Sequence, residues 1–380
     1  MEFSNLPVPS CKKFTGYKPC LSYTECLEKG CQQDTPENRM GTKILIISLD
    51  ALGAVLYNTS ILPAIKRKYP ESTIYWITLA NAEKLLFNNP LIDRVFVWSD
   101  ENRMVLKQML FDYVLNADKS EFACAFAGEI SAKRKCGFML NSEGKIVPSN
   151  EGAMYNYVLG NSDQVKFRDN KRTGSDILHE TFELDFKRDE YVFEFTNEEK
   201  QFIKDYKNHI RYDASKYYIG FNTGCSLLYP NKKMTVEQHC HIIEQLCKDN
   251  DVRILLFGGR EDIQRNDAIY AALSQNAQDK TINTPADGGI RKGIAYIDLA
   301  KTVITGDSFG MHASIALKKN IIVWFGMSCV EEIEIYDRGI KLYPKELECV
   351  PCWKKKCPNN LECIEMIDLD KIISTALELK

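Results

Sequence analysis

The 380-residue chain carries little net charge, −3 at neutral pH from 49 basic and 52 acidic residues. That absence removes the electrostatic case for a nucleic-acid binder, which needs a basic surface to neutralise phosphates. No run of 18 apolar residues occurs, so no segment reads as a membrane-spanning helix. The opening stretch MEFSNLPVPSCKKF lacks the basic segment and apolar core of a secretory signal. No repeat of fixed short period is present. Together these absences predict a cytoplasmic protein, with peripheral attachment at the inner membrane the one membrane relation left open.

What is present is apolar mass, 44% hydrophobic against 27% charged, the balance of a soluble globular protein. At this length two domains are expected rather than one core. Cysteine is abundant, 14 in all. Eight fall in two clusters, Cys11, Cys20, Cys26 and Cys31 at one end and Cys349, Cys352, Cys357 and Cys363 at the other. The other six have apolar surroundings, where a free thiol behaves as a small hydrophobe.

Residues 1–41 are poor in apolar runs and rich in turn formers, which predicts a small cysteine-rich appendage with no core of its own. From Lys43 onward, short β-rich runs alternate with helical periodicity. Strands are expected over 43–49, 73–78, 94–98, in FDYVLNADKS (111–120) and in KCGFML (135–140), with helices over 55–68 and 80–87. Such alternation argues for βαβ units and parallel sheets. Residues 150–215 lack that rhythm and read as a linker. A second alternating block follows, with strands over 217–222, 252–257, 302–305 and 321–325. Its helix over 236–247 opens on Thr235 with Gln238 three residues later, the spacing of a capping box. A last helix over 368–379 suits either domain.

The stretch LIISLDALGAVL (45–56) runs from a strand through Asp50 and Gly53 into a helix. In an open α/β sheet such a turn lies where ligands bind, outside the strand ends and against a helix N-terminus. The second block holds three comparable strand ends. In GFNTGCSLLYPNKKMT, Asn222, Thr223 and Gly224 follow a strand and Lys232 precedes the next helix, where a cation beside backbone N–H groups suits a diphosphate. In LLFGGRED, Gly258 and Gly259 permit close approach of a ligand to the backbone. The alternative for both is a tight turn with a solvated lysine. In VITGDSFGMHASIAL, Asp307 and Ser308 end a buried strand, and Met311 and His312 begin a helix whose positive end attracts an anion while Asp307 orients a sugar hydroxyl. The alternative there is that Asp307 and Ser308 merely cap the helix.

The order of these motifs resembles glycosyltransferase family 9, the heptosyltransferase family, from about residue 43 to the C-terminus. The matching stretches are KILIISLDALGAVL, PAIKRKYPESTIYWIT, NPLIDRVFVW, GFNTGCS with YPNKKMT, TGDSFGMHASIAL, WFGMS and CVPCWKKKCPNNLEC. The resemblance implies an α/β protein of GT-B fold, two Rossmann-like domains facing across a cleft. On that basis 1–41 is the cysteine-rich appendage and candidate metal-binding module. Residues 42–205 are the acceptor domain, and 206–380 the nucleotide-sugar domain with its cysteine-rich segment 349–363. The implied activity is inverting transfer of a sugar, a heptose by family habit, from an ADP-linked donor to lipopolysaccharide core, another surface glycan, a lipid-linked acceptor or a protein. No metal is needed for the transfer, and homo-oligomers are compatible with it.

Carried over residue by residue, Lys232 contacts the donor phosphates, and Asp307, Ser308, Met311 and His312 match the donor-binding Asp-Ser/Thr-Gly-x-x-His segment, with Phe309 in place of its glycine. Asn222, Thr223, Gly224, Gly258 and Gly259 join the donor side, and Gly53 and Lys119 the acceptor side. Inversion needs a base to take the acceptor hydroxyl proton. The family's base is an Asp after the glycine of the first turn, a place held here by Ala54. Asp50 is the nearest carboxylate and Asp118 the alternative. A third reading is that Ala54 marks an inactive sugar-nucleotide- or protein-binding homologue, or an engineered substitution.

The spacing of Cys349, Cys352, Cys357 and Cys363 permits four thiolates around Zn²⁺ or iron, and relatives that glycosylate autotransporter proteins hold iron with such cysteines. A reduced, packed loop is the alternative. The N-terminal set is more loosely spaced, and a redox sensor built on the two clusters is the most distant reading.

Overall fold

Unbroken runs of β-branched and aromatic residues form strands that can be covered on both faces. The computed structural model describes residues 8–17, 20, 35–225 and 228–380, and among these, twelve strands make two six-stranded sheets. The first contains β1 (Thr42–Ile47), β2 (Ser72–Thr78), β3 (Arg94–Val97), β4 (Leu110–Asn116), β5 (Ser131–Leu140) and β6 (Ile146–Pro148). Their order is β3-β2-β1-β4-β5-β6, parallel except for the antiparallel β5–β6 pair. β2, STIYWIT, is buried at every position. Its neighbours in the core include Leu45, Ile47, Phe96, Phe111 and Val114.

The second sheet contains β7 (Tyr217–Asn222), β8 (Val252–Phe257), β9 (Thr281–Asn283), β10 (Thr302–Gly306), β11 (Asn320–Trp324) and β12 (Gly339–Leu342). It is parallel throughout, in the order β12-β11-β10-β7-β8-β9. Both orders wind outward in two directions from the first strand of their unit, the doubly wound Rossmann-like arrangement. Their switch points lie between β1 and β4 and between β7 and β10, where such sheets bind ligands.

The chain divides into two compact units, but not at a single boundary between 205 and 206. One unit comprises the described residues up to Asp50, Ser60–Tyr157 and Leu178–Asp189; the other comprises Ala51–Thr59, Val158–Ile177 and Glu190–Lys380. The stretch 150–215 is therefore more than a linker: it carries helices Met154–Asn161, Gly174–Thr181 and Asn197–His209 and contributes to both units. In the first unit Arg67 Nη2 bonds Asp189 Oδ2 at 2.7 Å, and in the second Arg291 Nη2 bonds Glu199 Oε2 at 2.6 Å.

The helix expected over 55–68 is two helices, α1 (Leu52–Asn58) and α2 (Ile61–Lys68). The cause is Thr59. Its hydroxyl donates to the Leu56 carbonyl at 2.6 Å and accepts the Val192 N–H at 2.9 Å, a side-chain competitor for the helical ladder. The helix expected over 80–87 likewise tightens after Glu83 into a 3₁₀ turn over Lys84–Leu86. By contrast α3 (Val236–Leu246) begins at the expected capping box, with the Thr235 hydroxyl accepting from Gln238 N at 3.1 Å and Gln238 Oε1 accepting from Thr235 N at 2.8 Å. The last helix, α4 (Leu369–Glu378), packs in the second unit, where Ile372 and Ala376 share a core with Ile242, Ile243 and Leu246.

Of the N-terminal appendage, the described part is pinned to the first sheet. Cys11 bridges Arg39, and Lys12 reaches both the Ser72 carbonyl at 2.8 Å and Asp93 at 2.9 Å. Cys26 and Cys31 lie outside the described residues. Among the described residues no helix is long and apolar enough to cross a membrane.

Candidate active site

Of the strand-end residues picked from the sequence of the second block, Asn222 and Ser308, and Lys232 and Asp307, pair at the β7–β10 switch point. Asn222 ends β7, and its Nδ2 donates to Ser308 Oγ at 2.9 Å, Thr305 Oγ1 at 3.2 Å and the Gly224 carbonyl at 3.1 Å. This ties the ends of β7 and β10 together and sets the start of α5 (Phe309–Ala316). The approach requires glycine at 310, since a Cβ there would fall 2.4 Å from Asn222 Cγ.

At the mouth of this junction Lys232 Nζ lies 2.5 Å from Asp307 Oδ2, with side-chain exposures of 11% and 13%. The Lys232 carbonyl is held as well, accepting the Trp324 indole N–H at 3.0 Å. Burial alone would push the Asp307 carboxyl up, but the Lys232 ammonium, by charge and by hydrogen bond, holds it below the usual carboxylate value. The pair is a cation poised for an anionic ligand beside a carboxylate able to accept hydroxyl protons.

His312, on the first turn of α5, hydrogen-bonds Tyr191 through Nδ1 at 3.2 Å and stacks on that ring. Desolvation lowers its pKa to about 4, with Asp307 opposing and Lys232 assisting. His239, fully buried in α3, is also lowered to about 4 by burial. Both rings are therefore neutral in the folded protein at neutral pH. The unfolded chain takes up these protons near the ordinary histidine value of about 6.5, which the folded chain resists until about 4. Stability is thus expected to fall as pH drops through that window. Thermal melts across it check the point, and a flat melting temperature refutes it.

The first turn carries backbone strain. Ala51 sits at φ 57°, ψ 95°, a conformation costing an L-residue on the order of 1–3 kcal/mol. Its carbonyl accepts from Ala54 N at 2.7 Å and Val55 N at 3.0 Å, so the strained residue starts α1. Gly53 then passes directly over the histidine: a Cβ at 53 would lie 2.5 Å from His312 Cδ2. Tyr57, one turn on, meets Tyr191 edge to face with ring centroids 5.7 Å apart. Asp50, just before this turn, is exposed.

In the first unit, Asp118 follows β4 at the β1–β4 switch point. Its Oδ2 accepts the Leu49 N–H at 3.1 Å and its Oδ1 the Ser120 N–H at 2.8 Å. Both oxygens thus fasten backbone. Lys119 Nζ bonds the Asn156 carbonyl and Oδ1, each at 2.9 Å.

Several glycines serve packing where the sequence suggested room for a ligand. Cβ atoms at Gly224 and Gly258 would meet Asp262 at 1.8 and 2.7 Å. Asp262 pairs with Lys233 at 3.0 Å and accepts the Gly259 N–H at 3.0 Å. Thr223 is buried with its hydroxyl on Asn266, and Met311 is wholly buried in the core. Sequence reasoning missed Tyr191, Tyr57 and Trp353, none of which stands in a strand-end motif, and Asp262, which closes the stretch LLFGGRED but was passed over for its glycines.

The cysteine-rich segment does not present a formed metal site. Cys363 is buried, Cys352 and Cys357 are half-buried and Cys349 is exposed, all as free thiols. Burial, then the charges of Cys357, Cys352 and Cys349, push the Cys363 thiol up to about 11. Among the described residues no group of three or more His, Cys, Asp or Glu side chains is arranged to hold a metal ion. The set as placed does not fit one.

The topology agrees with that of known proteins. Residues 103–362 match the family described as glycosyltransferase family 9 (heptosyltransferase), and the chain belongs to that family. Lipooligosaccharide heptosyltransferase 2 of Campylobacter jejuni is 28% identical over 166 residues, 42% of this chain and 50% of that protein. The match thus spans half the length of that curated relative. Among solved structures, the family 9 glycosyl transferase of Veillonella parvula aligns with TM-score 0.69 at 18% identity, covering 89% of this chain and 97% of that one. The E. coli ADP-heptose lipopolysaccharide heptosyltransferase II aligns with TM-score 0.63 at 17% identity, covering 89% and 98%. The fold is GT-B.

Proposed function

We propose that this chain transfers a heptosyl residue, with inversion, from ADP-heptose to a hydroxyl of the lipopolysaccharide core. The observation that carries the reading is the Lys232–Asp307 pair at the β7–β10 switch point. The substrate class follows the relatives, heptosyltransferases of lipooligosaccharide and lipopolysaccharide, the E. coli enzyme being an ADP-heptose heptosyltransferase.

In this reading the donor diphosphate takes the Lys232 ammonium and the N–H groups at the start of α5, and Asp307 turns to a sugar or ribose hydroxyl. The acceptor oxygen attacks the anomeric carbon as the bond from that carbon to the diphosphate oxygen breaks. Asp50 takes the acceptor proton, while Lys232 stabilises the charge that develops on the departing ADP. Asp50 is preferred to Asp118 because both oxygens of Asp118 are already engaged by backbone N–H groups. The strained Ala51 turn, next to Asp50, favours the same choice, since backbone strain concentrates at functional sites. A lipid-linked acceptor would bring the protein to the inner membrane surface.

The test is turnover of ADP-heptose with purified lipopolysaccharide core lacking heptose, read as ADP released and heptose incorporated. Incorporation with inverted anomeric configuration supports the proposal. ADP-heptose binding with incorporation only into a protein acceptor would overturn the acceptor assignment, and absence of donor binding would overturn the whole reading.

A further inference from the structure

Resting on that donor-site reading, we infer that Trp353, from the cysteine-rich segment, is a positioning residue for Lys232. The Lys232 ammonium lies 4.5 Å from the centroid of the Trp353 ring and 5.5 Å from that of Tyr229, and these two rings meet edge to face at 5.5 Å. Lys232 is thus held at its carbonyl by Trp324 and at its ammonium by Asp307 and an aromatic face.

The segment that delivers this ring is tied down on both sides. The Cys352 and Trp353 N–H groups both donate to the Met327 carbonyl at 2.9 Å, just beyond β11. Trp353 itself is in the left-handed region, φ 49°, which turns the chain at this point. Asn231, adjacent to Lys232, donates through Nδ2 to the Lys355 carbonyl at 2.9 Å, and Arg168 Nη1 donates to the Val350 carbonyl at 3.0 Å. The cysteine-rich loop therefore acts as a strap across the lysine-bearing loop, with Trp353 as its point of contact. A second cation, Lys166, lies 5.5 Å from the same ring and is paired with Glu332 at 3.6 Å.

The physical reason lies in what each partner does when a diphosphate arrives. Asp307 attracts Lys232 but, being negative, repels the ligand that Lys232 must bind. An aromatic face attracts the ammonium through its quadrupole without carrying net charge. Trp353 thus keeps the cation aimed and partly dehydrated while the ammonium moves its charge from the carboxylate to the phosphates. Trp has the strongest such face, with Tyr and Phe weaker and Leu having none.

The experiment is a ³¹P NMR titration of ADP against the full chain and its Trp353→Tyr, Trp353→Phe and Trp353→Leu variants, a readout that follows affinities into the millimolar range. The same substitutions are repeated in a Lys232→Met background. The expected result is a graded loss of affinity, reaching about tenfold for Leu, that disappears when residue 232 is Met. Equal affinities across the series overturn the inference. So does an equal loss in both backgrounds, because a merely structural tryptophan would weaken binding whatever stands at 232. Should Trp353→Leu fail to fold, the Tyr and Phe variants carry the comparison. A wild-type chain that binds no ADP overturns the donor-site reading and the inference with it; a wild-type chain that binds ADP with a flat series overturns the inference alone.

Discussion

Lys232→Met is expected to lower the rate of heptosyl transfer by about 10²–10³-fold, the usual cost of removing one preorganised charge from a developing anion. The variant separates two roles of the lysine. In the resting protein Lys232 neutralises Asp307, and both side chains are largely withdrawn from water. Removing it strands a carboxylate, which is expected to cost up to about 3 kcal/mol of stability, at the low end for a buried pair because some solvent remains. With its cation gone, burial governs Asp307 and pushes its carboxyl up rather than down. In the wild type the folded-state value lies below the unfolded one, so the pair's contribution is present above the ordinary carboxylate value and is lost as pH falls through the depressed one. In the variant the sign reverses, and acidification through the carboxylate range relieves the stranded charge. Unfolding curves against pH, run beside transfer rates, check both parts. A variant with wild-type turnover would remove Lys232 from the mechanism.

Asp50→Asn is expected to reduce kcat by about 10²–10⁴-fold while leaving ADP affinity unchanged. The asparagine keeps the size and polarity of the side chain but cannot take a proton. Because the loss lies in proton transfer, it should appear in kcat and not in donor affinity. The paired variant is Ala54→Asp, which restores a carboxylate one helical turn along, on α1. If Asp50→Asn retains full turnover, Asp50 is not the base. If the wild type is inactive and Ala54→Asp alone is active, the turn had lost its base at residue 54. The strained Ala51 backbone lies between the two positions.

Much of the fold was legible because its signals are local. β7 and β8 were read to the residue, over 217–222 and 252–257, as each is a continuous β-favouring run closed by polar or glycine residues. The capping box at Thr235 and Gln238 was equally plain, since both partners lie within one turn. The short strands β6, β9 and β12 were not read. They have three or four residues each, too few for a periodic pattern, and exist as strands because an existing sheet edge offers them partners. The break at Thr59 had a local signal in Pro63, four residues on, while the Val192 N–H that the Thr59 hydroxyl accepts lies far along the chain.

The candidate site divides in the same way. Asn222, Asp307 and Ser308 could be picked out because a strand followed by a polar turn is a local pattern whose destination, the switch point, topology dictates. That Gly224 makes room for Asp262 could not be read, since that side chain comes from a different strand end, whereas Gly258 lies within one turn of Asp262. The cysteines of 349–363 drew attention to themselves, whereas the residue among them that reaches Lys232 is Trp353.

By itself the sequence determined the alternation of strands and helices, the parallel-sheet class and the polar strand ends, because propensity, periodicity and turn chemistry act over a few residues. Only the tertiary structure decided which chain segments belong to which unit, which glycines face side chains, and which ring meets the lysine. Those outcomes depend on contacts between residues distant in sequence, and such contacts leave no period or spacing to read.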